Sequence, residues 1–351
     1  MKTLRVFSLV FLVAFLPSLG CRRGDTGPAP ATSNDAGETS EADAESMPPT
    51  EPDPTEATAP SASQPPSASI RNPNDGMLEN GVPLPLEAPG LRFNPKNDPA
   101  ARYGTEEMVA ALMRAAAVVD EELGGLPVII SDLSYEGGGP IPRHGSHQSG
   151  RDVDVLFYQL DHDGQPIESV GAFFDPEGVG IDFKELDDPS DDVMLTLDMP
   201  RTWRFVQALI EDPDANLQSI FVVEHIRTLL LRYARSANVD AATVTRFAQM
   251  TCQPEYPHDD HFHFRFYCSI EDIAAGCRDS KPEYPWRRRA LREAGTESLP
   301  LLPKRPQSKS KTVSHAEARE RAGELDPEVE RWLDLRQAWI KKPHPGRKFC
   351  R

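Results

Sequence analysis

Positive charge is in short supply. The chain has 38 lysines and arginines against 55 aspartates and glutamates, a formal net charge of −17. Such a chain has no overall basic surface with which to neutralise phosphates, so nucleic acid is excluded as a partner. Apolar runs are short. The run at residues 6–16 has the length of a signal h-region and cannot span a bilayer. No internal repeat occurs, and helices and strands do not alternate regularly, which sets aside solenoids and doubly wound sheets in favour of an α+β fold. Cysteines number five, Cys21, Cys252, Cys268, Cys277 and Cys350. None lies in the histidine-rich segments, which argues against the closed, cysteine-rich coordination of a structural zinc site.

What is present falls into four stretches. Residues 1–20 read as a signal peptide, with Lys2 and Arg5 ahead of the apolar run. Ser18-Leu19-Gly20-Cys21 resembles a lipobox, making Cys21 the lipidated residue of a membrane-anchored protein; ordinary signal cleavage would cut at the same bond. Lipidating Cys21 leaves four cysteines, an even number that can pair. Residues 21–86, rich in Pro, Ser, Thr and acidic residues, bury too little apolar surface to offset ordering entropy and read as a disordered tether. Residues 87–280 form the expected folded domain. Residues 281–351 are a basic extension with one helix, over 326–340, capped by Asp326 and striped with Val329, Trp332, Leu333, Trp339 and Ile340. Arg287, Arg288, Arg289, Arg292, Lys304, Arg305 and Lys309 are expected in loop. The extension either packs back on the domain or grips an anionic polymer or lipid.

Within the domain, Thr105 caps a helix over 105–123 whose Met108, Leu112, Ala116 and Val119 share one face. Strands are expected at 127–130, 153–158, 219–223 and 261–267, and helices near 201–211, 226–234 and 241–250. Two segments then hold five of the nine histidines. The first runs Arg143-His144-Gly145-Ser146-His147-Gln148-Ser149-Gly150-Arg151-Asp152-Val153-Asp154, the second His258-Asp259-Asp260-His261-Phe262-His263-Phe264-Arg265. A hydrolytic zinc site needs about three His or carboxylate ligands and an open fourth position. On a strand His261 and His263 face the same way, about 7 Å apart. That is wide for two ligands of one ion, and suits one ligand with a base beside it. The bland reading is a polar strand face.

Together the two motifs, His147-x6-Asp154 and His258-x-x-His261-x-His263-x-Arg265, resemble the penicillin-insensitive murein endopeptidases, in the wider group of lysostaphin, the D-alanyl-D-alanine metallocarboxypeptidases and the hedgehog domain. The resemblance implies a small antiparallel sheet flanked by helices that carries Zn2+ on His147, Asp154 and His263. It implies His261 as the catalytic base, His258 as a donor to the developing oxyanion, and His144 as a further metal-associated residue. Arg143, Gln148 and Arg265 are expected to bind substrate carboxylates or to orient ligands. It also implies a Cys268–Cys277 disulfide, which leaves Cys252 to pair with Cys350. The implied substrate is the D-alanyl to meso-diaminopimelyl amide of peptidoglycan in the periplasm of a Gram-negative bacterium. A D,D-carboxypeptidase on the same site, or a wall-binding module without turnover, is the alternative.

Overall fold

The computed structural model describes residues 65–184, 186–306, 315–341 and Cys350. The signal segment, Cys21 and most of the tether lie outside the described residues.

The fold is α+β, built on a seven-stranded sheet. Its strands are β1 (Glu87–Ala88), β2 (Leu91–Phe93), β3 (Val128–Ile130), β4 (Asp152–Leu156), β5 (Leu217–Phe221), β6 (Thr251–Cys252) and β7 (His261–Phe266), in the order β6-β5-β7-β4-β3-β2-β1. The central pairs β5–β7, β7–β4 and β4–β3 are antiparallel; β5–β6 and β2–β3 are parallel.

Alternation along β4 and β7 divides the sheet into two faces. Val153, Val155, Phe262 and Phe264 point into the core with the helices α1 (Glu106–Leu123), α2 (Met199–Glu211), α3 (Glu224–Ser236) and α4 (Ala241–Met250). Asp152, Asp154, His263 and Arg265 belong to the other face, as their cross-strand contacts below establish. Thr105 Oγ1 accepts the Met108 N–H at 3.5 Å, and Glu106 and Glu107 occupy the positive end of α1. Met108, Leu112, Ala116 and Val119 are buried, because a 3.6-residue period places them on one side.

Four further helices follow: α5 (Ile270–Ala275), α6 (Pro285–Glu293), α7 (His315–Ala322) and α8 (Pro327–Ile340). In α8, Asp326 Oδ1 accepts the Glu328 N–H at 2.7 Å and Pro327 opens the helix. Disulfides join Cys268 to Cys277 and Cys252 to Cys350.

Two expectations need correction. The stretch assigned to the tether contains an antiparallel hairpin, Ala68–Asn72 with Asp75–Glu79. It is held by buried polar contacts that composition does not reveal. Ser69 Oγ accepts from Nε of the fully buried Arg151 at 2.8 Å, and buried Asp75 pairs with Arg71 at 2.7 Å and Arg305 at 2.6 Å. The folded body therefore begins well before residue 87. Of the basic stretch read as loop, Lys304 and Arg305 are in loop as expected, whereas Arg287, Arg288, Arg289 and Arg292 lie in α6. There Arg287 is buried, its Nη2 donating to Asp279 Oδ2 at 2.8 Å and to the Cys268 carbonyl at 2.9 Å. Lys309 lies outside the described residues.

A chain beginning at residue 87 should lose its pairing to Ser69 and strand a buried arginine nitrogen. Relative to a chain beginning at residue 65, it is expected to be less stable by about 3 kcal/mol or more, read from urea denaturation midpoints. Equal midpoints would show that the hairpin does not support the fold.

Candidate metal centre

Strand register assembles the site. His263 lies opposite Asp154 and Arg265 opposite Asp152 across the β7–β4 ladder. Such pairs bring side chains on the shared face within reach of each other. His147 arrives from the loop ahead of β4. Its φ is +65°, and Gly150 follows at φ +71°, where Leu78 leaves no room for a Cβ. The loop closes where the Gln148 N–H donates to the Pro73 carbonyl at 3.1 Å and the Gly139 N–H to the Gln148 carbonyl at 2.9 Å.

Three donor atoms converge. His147 Nε2 and His263 Nδ1 are 3.2 Å apart; Asp154 Oδ1 is 3.4 Å from the first and 3.1 Å from the second. Ligands at zinc-like bond lengths of 2.0–2.1 Å in a tetrahedron are separated by about 3.3 Å. Asp154 Oδ1 is buried and makes no hydrogen bond among the described residues, despite three imidazole nitrogens within 3.5 Å. A buried carboxylate oxygen left without a hydrogen bond beside two imidazole nitrogens that pair only with each other on this side fits a shared cation at their centre. A second set, His144, His147 and Asp154, also brings its ligand atoms within 4.8 Å of one another. His144 Nδ1 is 3.5 Å from Asp154 Oδ2, while its Nε2 bonds Asp132 Oδ2 at 2.8 Å.

The surrounding groups orient these atoms. His147 Nδ1 donates to the Leu133 carbonyl at 2.8 Å, which leaves the lone pair on Nε2. Asp152 Oδ2 accepts the His147 backbone N–H at 3.1 Å, and Oδ1 lies 3.4 Å from His263 Nε2. Arg265 grips the same carboxylate through two nitrogens at 2.7 and 3.0 Å. Burial would raise the Asp152 pKa, but Arg265 and His263 hold it well below the ordinary value. Burial likewise opposes charge on His263 and His261. The Asp152 and Asp154 carboxylates overcome it for His263, and Asp260 with Asp154 for His261, so both imidazoles sit above their usual pKa without a cation.

His261 Nδ1 donates to Asp260 Oδ1 at 2.7 Å and its Nε2 lies 3.5 Å from Asp154 Oδ1. His258, at φ +55°, donates Nδ1–H to the Tyr256 carbonyl at 2.6 Å. Burial and then the charges of His261 and His263 push its pKa down to about 3. With Nδ1–H given to the Tyr256 carbonyl, the neutral ring carries a lone pair on Nε2, and donation from Nε2 to an oxyanion requires the protonated ring.

All these histidines line one cleft of about 470 Å³, with Asn94, Asn97, Asp132 and Tyr256 on its walls. That size suits a short peptide or similar ligand. Arg143 is exposed at the cleft. Gln148 and Arg265 are not part of it. Gln148 is buried in the loop closure, and Arg265 is held by Asp152 beneath His263 with its Cζ 5.3 Å over Phe221. Arg265 is scaffold because Asp152 occupies its guanidinium, and Gln148 is scaffold because it is buried outside the cleft and closes the loop through its backbone. Asp152, Asp260 and Asp132 were not singled out from sequence. The first two stand inside the histidine motifs and could have been found there. Asp132 carries no local signal.

Residues 69–288 match the penicillin-insensitive murein endopeptidases. The chain belongs to that family. No curated protein matches it. The chain is thus a peptidase acting on peptidoglycan, a substrate that lies outside the cytoplasm, and its His/His/Asp cluster is compatible with a metal ion. No helix among the described residues is long and apolar enough to cross a membrane.

Two outcomes follow for metal binding. Asp152→Asn removes the charge that Arg265 pairs with and loosens both histidines, so metal affinity should fall about 10–100-fold in chelator competition; unchanged affinity would remove Asp152 from the site. Because the pKa of His263 is raised, protons should compete with metal already above pH 6.5, the ordinary imidazole value. Affinity should weaken steadily as pH falls from 8 to 5, and a flat profile would contradict the proton competition.

Proposed function

We propose that the chain is a zinc-dependent endopeptidase that hydrolyses the D-alanyl to meso-diaminopimelyl cross-link of peptidoglycan. The observation that carries this reading is the near-tetrahedral spacing of His147 Nε2, Asp154 Oδ1 and His263 Nδ1 in an open cleft beside the His261–Asp260 pair. His263 is preferred to His144 as the third ligand because its spacing matches a tetrahedral edge. His144 then braces Asp154 from its second oxygen. Zinc held there would polarise the scissile carbonyl and make water acidic enough to attack near neutral pH.

The remaining chemistry belongs to the chain. Asp260 accepts the Nδ1–H of His261 and so keeps the Nε2 lone pair toward the cleft, where it can take the proton of the attacking water and return it to the leaving amine. His258 offers a second lone pair 4.9 Å, ring to ring, from His261. As the neutral ring it would orient the water or the amine, and as the protonated ring it would donate to the developing oxyanion. Export with a lipid anchor at Cys21 belongs to the same proposal and is supported by the pattern of residues 2–21. Exposed Arg143 at the cleft would also suit a free terminal carboxylate, which favours D,D-carboxypeptidase activity as the second reading.

Purified protein should convert cross-linked muropeptide dimers to monomers, resist β-lactams because no acyl-serine forms, and lose activity with chelator. His263→Ala and His261→Ala should each lower kcat by about 10²-fold or more. Intact dimers in the presence of zinc would reject the endopeptidase reading; release of D-alanine from uncrosslinked pentapeptide would select the second.

A further inference from the structure

Helix α8 lies beyond residue 288, where the family match ends, yet it reaches the second histidine motif. Arg336, buried on its inner face, donates Nε to Asp259 Oδ2 at 2.7 Å and Nη2 to Asp259 Oδ1 at 2.8 Å. Its Cζ stands 3.7 Å from the centre of the Phe173 ring. Asp259 is fully buried. A two-pronged guanidinium–carboxylate pair fixes direction as well as distance, which a lysine cannot do.

Asp259 is the hinge of the cleft wall. His258 precedes it in the left-handed region, and Asp260 and His261 follow it. The Val223 N–H donates to the His258 carbonyl at 3.1 Å, and the Phe174 N–H to the Asp259 carbonyl at 3.0 Å. A histidine at φ +55° persists only where its surroundings over-determine it. Two backbone bonds and the Arg336 clamp do so from three elements. The helix is itself anchored at both ends. The Asp326 N–H donates to the Leu186 carbonyl at 2.9 Å, Gln253 Nε2 donates to the Ile340 carbonyl at 2.7 Å, and Cys350 is bonded to Cys252. Buried ion pairs often contribute little net stability, so stability alone does not require this one.

We propose that Arg336 is a positioning residue. Acting through Asp259, it holds the turn from His258 to His261 so that the His261 imidazole stays in register with Asp154 at the cleft. This rests on the reading of His261 as the proton acceptor.

The test uses the full, metal-loaded protein with cross-linked muropeptide dimers, and compares Arg336→Ala, Arg336→Lys, the double variant Arg336→Met with Asp259→Asn, and Arg331→Ala, an exposed arginine of the same helix, as control. A small displacement of a reacting group can cost about 10²-fold. Arg336→Ala should therefore lose kcat on that scale while KM stays within about threefold and metal content is unchanged. Millimolar guanidinium should restore Arg336→Ala but not the double variant, Arg336→Lys should recover little, and Arg331→Ala should match the parent. Should Arg336→Ala fail to fold, the double variant, which strands no charge, replaces it and should show the same loss of kcat. Parental kcat in a folded Arg336→Ala or double variant overturns the proposal. Should the parent itself not cleave dimers, the functional reading fails, and histidine ring NMR decides the positioning alone. Displaced His258 and His261 signals with His147 unmoved support it, and unmoved signals overturn it.

Discussion

The pairing register of β4 and β7 is the constraint on which the rest depends. With His263 opposite Asp154 and Arg265 opposite Asp152, one face of two strands gathers the donor atoms while the other gathers Val153, Val155, Phe262 and Phe264. Side chains alternate strictly along a strand, so the site and the core are two expressions of one register. A slip of a single residue would bury the histidines against α2 and expose the phenylalanines. Hydrophobic burial thereby selects the geometry of the metal centre.

That face concentrates charge where water is scarce, and each charge there has a partner. Asp152 answers to Arg265, Asp260 to His261, Asp259 to Arg336 and Asp132 to His144. Asp154 Oδ1 is the exception, with nitrogens close by and no hydrogen bond made. In a medium of low dielectric an uncompensated carboxylate recruits a cation or a proton. Without metal, Asp152 and then Asp154 raise the pKa of His263, and Asp260 and then Asp154 raise that of His261, both against the effect of burial. Metal binding and acid are thus competitors for the same electrostatic need.

Much of the framing is done by segments remote in sequence. The hairpin Ala68–Glu79 closes over Arg151, just ahead of β4, and α8 clamps the turn just ahead of β7. Both segments support loops whose backbones sit at positive φ, at His147 and His258, and such backbones need external restraint. The two strained turns deliver their histidines to the same cleft.

Local patterns in the sequence determined a good deal. The cap and apolar stripe of α1, the bounds of α4, the alternation of β7 and the two histidine motifs were all legible, because each depends on spacing along one short segment. The α8 stripe was legible too, but the buried member completing it is Arg336, one turn past Leu333, and nothing local marks an arginine as buried. Contacts made across the chain were decided by the tertiary structure alone. It folded the hairpin out of a stretch that composition assigns to tether, turned Arg265 and Gln148 into scaffold, gave the His258 proton to Tyr256, and placed Asp132 beside His144. Residue type and spacing name the atoms that can bind a metal. Which of them keep a free lone pair depends on which partners the fold brings within hydrogen-bonding distance.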